Sequence, residues 1–271
     1  MTNANESGTW HYGLIARWWA EFNAPEDEEV DYLRAAIGRS GQPALDLGCG
    51  SGRILLPLLE AGLDVDGADV SADMIHYARA AAERAGFSSH LVAQPMHELD
   101  LPRRYRTIFM LGAFGIGGNR QHERQALARV YRHLEPGGVL LINHALPYQG
   151  QDEERWALWL PGRRAGLPGQ WPESGDRKRT ADGDEIELMG RMVDLDPLAQ
   201  RMSFEMRARL WRDGAVVHEE TTRLHESQYF AQEIVQLLRE AGFKDIDVEG
   251  GYTGKPATPD DGVLMFVAHK A

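Results

Sequence analysis

Gly48, Gly50 and Gly52 alternate with Cys49 and Ser51 directly after the apolar run Ala44-Leu45-Asp46-Leu47, and Asp69 ends the next apolar run. Alternating glycines at a strand end let the backbone approach a bound nucleoside more closely than any Cβ allows. They also leave unpaired amides at the start of the next helix. Those residue types in that order describe a cofactor cradle. The Asp69 carboxylate, placed beyond the glycines, can accept both hydroxyls of a ribose. The dinucleotide fingerprint needs its third glycine three residues after the second, and Arg53 stands there, so the spacing points away from NAD. A phosphate-binding loop would require Gly-Lys-Ser or Gly-Lys-Thr, which is missing. His144 follows the apolar run 139–143, where an imidazole can take a proton near neutral pH; Tyr12 and His11 are further candidates for that task. The ten histidines form no His-Glu-x-x-His pattern and have no cysteine partners, so no metal site is expected.

A chain of 271 residues can bury one large core, or a main domain carrying a substantial insertion, and the second arrangement is expected here. The net charge of −12 opposes nucleic acid, whose phosphates the average field would repel. No apolar run is long enough to span a bilayer, and the first eight residues are neither basic nor apolar, so a cytoplasmic protein that does not engage membranes is expected. Cys49 has no cysteine partner in the chain, and within the glycine turn its small size explains it better than reactivity.

The elements that must position these residues follow a regular alternation from Pro43 onward. Strands are expected at 44–48, 64–69, 88–93, 106–111 and 139–143, with helices at 53–61, 72–85 and 120–134 between them. Strands separated by such helices imply right-handed crossovers and a doubly wound parallel sheet, an α/β fold. Pro57 is awkward inside the first of these helices, because it lacks an amide, unless that helix begins later. Before the sheet, Tyr12, Ile15, Trp19 and Phe22 recur at helical spacing, and 31–38 forms a second helix. The periodicity changes after residue 150. Residues 151–183 suggest a short helix and a long exposed loop, and 184–194, 201–211 and 215–224 suggest three antiparallel strands joined by tight turns. Regular order resumes with a helix at 229–241 and strands at 244–249 and 263–269, completing a seven-stranded Rossmann-like sheet around an inserted three-stranded antiparallel one. The expected organisation is an N-terminal helical lid at 1–42, a cofactor-binding core at 43–149, an insertion at 150–227 and completion of the core sheet at 228–271.

Asp46 to Gly52, Asp69, the turn Glu135-Pro136-Gly137-Gly138 and the closing Leu237-Leu238-Arg239-Glu240-Ala241-Gly242-Phe243 together resemble class I S-adenosylmethionine (SAM) dependent methyltransferases. The three-stranded insertion after strand five is similar to that of glycine and aminosugar N-methyltransferases. The resemblance implies methyl transfer from SAM to a nitrogen or oxygen of a small molecule, with S-adenosylhomocysteine as product. It implies Asp46 near the methionine part of the cofactor, the glycine turn of Gly48, Gly50 and Gly52 beneath it, and Asp69 on the ribose. Val70 and Met74 would flank the adenine, Gln94 would accept from its amino group beside Met96, and Leu111 would line the methionine arm. Two departures stand out: Gln94 replaces the usual aspartate after strand three, and Thr107 replaces an acidic residue often found opening strand four. His144 and Tyr12 are the candidate catalytic residues. An N-terminal helix closing over the cofactor is the reason to include Tyr12, and an insertion of this kind often builds a homodimer. The alternatives are an NAD-dependent oxidoreductase and a non-catalytic SAM-binding interaction protein. Methylation of RNA or protein is disfavoured by charge and by the absence of an Asn-Pro-Pro-Tyr motif. Arg163, Arg164, Arg177, Lys178 and Arg179 form a basic cluster in the insertion that would suit an anion-binding lid or a solvated face.

Overall fold

The computed structural model describes residue 9 and residues 11–147 and 156–271, so the front of the short helix expected after residue 150 lies outside the described residues. In chain order the elements are α1 (Gly13–Phe22), α2 (Asp27–Ser40), β1 (Ala44–Leu47), α3 (Leu55–Glu60), β2 (Val65–Asp69), α4 (Ala72–Arg84), β3 (Leu91–Ala93), β4 (Tyr105–Met110), α5 (Arg120–His133) and β5 (Leu134–Ala145). They continue with β6 (Asp176–Arg179), β7 (Glu185–Asp196), β8 (Arg201–Arg212), β9 (Ala215–Ser227), α6 (Ala231–Ala241), β10 (Ile246–Gly250) and β11 (Val263–His269). Contacts divide the chain into two compact units, each described by itself.

The larger unit holds a seven-stranded sheet in the order β10-β11-β5-β4-β1-β2-β3, parallel except at β11, which pairs antiparallel with both β10 and β5. Its strands are buried on both faces. Leu45, Ile108, Leu140 and Phe266 pack on one side with Leu127 and Val130 of α5 and Ile234 and Leu238 of α6. Ala44, Phe109, Leu141 and Met265 pack on the other with Leu33, Leu55, Leu58 and Ala78 of α2, α3 and α4. Near-continuous apolar strands covered by helices on both faces are what a doubly wound sheet requires. α3 begins at Leu55, so Pro57 falls in its first turn, where a missing amide leaves no intrahelical bond unmade. α2 begins earlier than its apolar spacing suggests, because Glu26 and Glu29 form a reciprocal capping box and Asp27, Glu28 and Glu29 fill the dipole-favoured first turn.

The smaller unit holds the antiparallel sheet β6-β7-β8-β9, with α1 packed on it through Ile15 and Trp18 against Ile186, Leu188 and Ala208. The sheet has four strands where the sequence suggests three. β6 lies in the stretch read as an exposed loop, because its Asp-Arg-Lys-Arg sequence carries no apolar alternation. Asp213 and Gly214, both at positive φ, make the tight turn between β8 and β9 that Asp-Gly favours. The buried stripe of α1 runs through Ile15 and Trp18, one residue away from the expected Trp19. Tyr12 is the N-cap residue, but its side chain makes no cap bond. That service comes from β9: Glu220 Oε1 accepts the Ile15 N–H at 3.1 Å, and a Cβ on Gly13 would lie 2.6 Å from Glu220 Oε2.

Candidate functional site

Strand order reverses between β1 and β4, and an open α/β sheet binds its ligand outside the carboxyl ends of such a pair. β1 ends in the glycine turn and β4 ends in Leu111-Gly112-Ala113-Phe114. These two loops touch: a Cβ on Gly48, at φ +87°, would sit 2.4 Å from the Ala113 Cβ. Only glycine allows that approach. Gly52, at φ +88°, packs against α4 with its virtual Cβ 3.5 Å from Ala78. Gly50, at φ +53°, has nothing within 4 Å of its virtual Cβ and so lines open space. Gly67 on β2 leaves room for the buried Cys49 thiol, whose Sγ would be 3.0 Å from a Cβ there, so the cysteine is a filler in this turn.

Asp69, at the end of β2, is fixed by amides. Gly50 N–H donates to its Oδ2 at 2.9 Å and Ser71 N–H to its Oδ1 at 2.8 Å. A carboxylate has about four lone-pair sites, so acceptor capacity remains for a hydroxyl donor beyond these amides. Burial raises the Asp69 carboxyl above its ordinary range, and the amides of Ser71, Gly50 and Val70 oppose that rise. Asp46 on β1 is buried, and its carboxyl accepts no hydrogen bond from the described residues. Burial pushes it up to about 8, with Arg53 pulling it down and Asp69 pushing it further up. A buried carboxylate without a donor is costly unless a cation or donor arrives. The open cradle at Gly50, the spare acceptors on Asp69 and the unmet carboxylate of Asp46 fit a nucleoside cofactor that carries both hydroxyls and an ammonium group.

Around these three, the other expected site residues are placed unevenly. Val70 is exposed beside Asp69, whereas Met74 is buried in α4, its N–H donating to the cap residue Ser71. Gln94 is tied to the same strand end, since its N–H donates to the Asp69 carbonyl at 2.7 Å. Its side-chain oxygen, the acceptor expected for an adenine amino group, accepts the Asp100 N–H at 3.0 Å. Met96 packs partly buried on one core cluster and Leu111 on the other. His144 on β5 is buried with Nε2 unpartnered among the described residues, its ring 6.0 Å from that of Tyr229. Burial lowers it to about 4 despite a backbone hydrogen bond at Tyr229, so the imidazole is neutral at neutral pH. Tyr12 belongs to the smaller unit, and the glycine turn and both aspartates belong to the larger one.

A set of residues that the sequence did not single out as a site joins the two loops. Glu29 pairs with Arg53 in a two-pronged ion pair, and Glu29 Oε1 accepts the Tyr252 hydroxyl at 3.0 Å. Tyr252 Oη accepts from Asn143 Nδ2 at 2.7 Å, and Asn143 Oδ1 accepts the Gly112 N–H at 2.6 Å. Arg53 was visible in the sequence as the residue that breaks the dinucleotide spacing; Glu29, Asn143 and Tyr252 carry no local signal, because their meeting depends on the strand order.

Comparison with known proteins agrees with this geometry. A family described as a methyltransferase domain matches residues 44–138, the stretch from β1 to the turn in β5. The chain is 26% identical to the cypemycin N-terminal methyltransferase of a Streptomyces species over 266 residues, spanning 95% of this chain and 89% of that protein. An S-adenosylmethionine-dependent methyltransferase from Clostridium acetobutylicum superposes with a TM-score of 0.69 at 16% identity, covering 95% of this chain and 98% of that one. The sugar N-methyltransferase KedS8 from a Streptoalloteichus species superposes with a TM-score of 0.68 at 19% identity, covering 97% and 96%. At such identities the likeness of structures is one of fold. Residues 44–138 therefore match a methyltransferase domain, and the chain shares the fold of SAM-dependent methyltransferases, with the glycine turn at the switch point of the sheet.

Proposed function

We propose that the chain methylates a nitrogen or oxygen of a small molecule, with nitrogen as the first reading. The observation that carries the proposal is Asp69, held by the Gly50 and Ser71 amides at the edge of a cradle that Gly50 leaves open. Bound there, SAM supplies a methyl group on a sulfonium, an electrophile that needs little acid catalysis. Asp69 accepts the ribose hydroxyls, and Gly48, Gly50 and Gly52 give the backbone its close approach. Asp46 faces the ammonium of the methionine arm, Leu111 lines that arm, and Val70, Met74, Gln94 and Met96 surround the adenine. The protein's main contribution is orientation and the exclusion of water, which can supply most of such a rate effect. His144, neutral because it is buried, accepts a proton from the attacking amine or hydroxyl; Tyr12 is the second candidate for contact with the acceptor.

Acceptor choice falls to residues 150–227, since a sheet of this kind only presents the cofactor, and residues 1–42 serve as the lid. The names of the cypemycin and sugar N-methyltransferases support an amine, and the charge of −12 supports a small acceptor over nucleic acid. A homodimer through the insertion and a cytoplasmic location belong to the same reading. No helix among the described residues is long and apolar enough to cross a membrane, and no group of metal-ligating side chains occurs among them. Calorimetric titration with S-adenosylhomocysteine and NAD tests the cofactor. S-adenosylhomocysteine should bind, and D69A should weaken it by about 10-fold or more through loss of buried hydrogen bonds. Binding of NAD alone, or an affinity untouched by D69A, would overturn the assignment.

A further inference from the structure

The hydrogen bonds that run from Gly112 to Arg53 have one direction. Gly112 N–H donates to Asn143, Asn143 donates to Tyr252, and Tyr252 donates to Glu29. Glu29 is where they end. Its carboxylate takes both prongs of Arg53, the Tyr252 hydroxyl and, at 3.2 Å, the Glu26 N–H that starts α2. Four donors match the roughly four lone-pair sites of a carboxylate, so Glu29 is saturated. Asp46, also under the influence of Arg53, accepts nothing from the described residues. Arg53 therefore stands between a carboxylate that the fold satisfies completely and one that it leaves open.

We infer that Glu29, Arg53, Tyr252 and Asn143 are positioning residues that lock the glycine turn against the loop after β4, with Arg53 as the cation facing Asp46. The inference rests on the methyltransferase reading and goes beyond it, because none of the four belongs to the glycine turn's own signature or to the Asp69 strand end. A bidentate guanidinium–carboxylate pair fixes both distance and angle, which a lysine cannot do. Burial works against the charge on Glu29, yet Arg53, the Glu26 amide and Tyr252 hold its carboxyl below the ordinary range. Burial and the Glu29 carboxylate push the Tyr252 phenol well above its ordinary range, so it remains a donor at every working pH. The ionisable groups acting on Asp46 are Arg53 on the turn and Asp69 at the end of β2, and the Cys49 thiol, raised by its own burial, lies beside them. Of these only Arg53 favours the Asp46 anion.

The test is calorimetric titration of the full chain with S-adenosylhomocysteine at about pH 6.5 and about pH 9, comparing wild type with Y252F, R53K and R53M. Y252F removes one hydroxyl and should weaken binding about 3- to 10-fold at both pH values, while the thermal midpoint hardly moves. R53M should weaken it by more than about 10-fold, with the larger loss at the higher pH, where Arg53 otherwise favours the Asp46 anion. R53K keeps the charge and loses the fork, so it should fall between the two and keep the wild-type pH dependence. Folded R53M and Y252F proteins that bind within about twofold of wild type at both pH values would overturn the inference. Should R53M fail to fold, Y252F decides alone. A wild type that gives no binding at all overturns the methyltransferase reading instead, so the two failures are told apart by the unmutated protein.

Discussion

The glycine turn and the antiparallel insertion solve the problem of holding a surface in place by opposite means. At the turn, backbone does the work: Gly48 is pressed on Ala113, and the Gly50 and Ser71 amides grip Asp69. In the insertion, one face is apolar under α1 while the other is a ladder of long charged and aromatic side chains. Glu205 binds Arg191 and Arg223 at 2.6 and 2.7 Å, Arg209 binds Glu219 at 2.6 Å, and Trp171 lies 4.6 and 4.1 Å from the Arg191 and Arg207 guanidiniums. Backbone solutions demand particular residues at particular positions; side-chain ladders can be built in many ways. The cofactor half of the molecule is therefore written in its local sequence, and the insertion is written in pairings between distant residues.

The sharpest way to break that contrast is to add one carbon in each region. G48A places a Cβ 2.4 Å from Ala113 at φ +87° and should weaken S-adenosylhomocysteine by about 100-fold or more, or prevent stable folding. G183A sits at φ +95° with nothing within 4 Å, so it should cost about 1 kcal/mol of stability and leave binding unchanged. Equal binding losses in the two variants, measured by calorimetry, would mean that backbone crowding at the switch point is not what shapes the site.

Legibility in the sequence follows the same divide. Gly48, Gly50, Gly52 and Asp69 are readable because each answers to a constraint within a few residues, and all of them meet at the expected strand ends. The doubly wound parallel sheet around them follows from crossover rules and apolar runs, whereas the order of its strands carries no local signal. β6 is invisible as a strand because its Arg177 and Arg179 are held by Glu185 and Lys178 by Asp176, so charge pairing stands where apolar alternation would. The same pairing changes the meaning of the basic cluster. Arg177 also lies 3.9 Å from the Trp211 ring, Lys178 4.5 Å from that of Trp18, and Arg164 donates to the backbone carbonyls of Leu158 and Trp159 at 2.9 and 3.1 Å. These four cations bind the unit's own groups, which favours the solvated face over an anion-binding lid. The Glu29 to Asn143 network was unreadable for a related reason, since its members come from four separate segments.

A pH profile sharpens the comparison from the cofactor side. His144 has a folded pKa of about 4 against an ordinary 6.5, so the folded state holds it neutral while the unfolded chain would charge it. Its contribution to stability is complete above 6.5 and is lost as pH falls through that window toward 4. As a proton acceptor it would keep kcat level through neutral pH, with the acid limb near the folded value rather than near 6.5. H144Q should lower kcat by about 10- to 100-fold with little change in S-adenosylhomocysteine affinity, as expected for a lost proton acceptor. A wild-type acid limb at 6.5 that survives in H144Q would assign the proton to another group, and Tyr12 would be the next variant.

The smallest effect is expected from W171A, which tests whether the charged face of the insertion is architecture or substrate surface. Removing the indole takes away the ring that the Arg191 and Arg207 guanidiniums both lie against. The lost cation–π contacts amount to about 1–2 kcal/mol, which for a chain of this size is a drop of a few degrees in Tm. Arg191 retains Glu205, and Arg207 lies 3.6 Å from Glu219, so the ladder should persist and the affinity for S-adenosylhomocysteine should stay within about twofold. The informative quantity is KM for the acceptor once an amine substrate is in hand. An unchanged KM makes Trp171 part of this face's architecture and sends the search for the acceptor pocket to the apolar side of the sheet. A KM that rises several-fold at constant kcat would make the guanidinium pair a binding surface after all, with the indole setting its width.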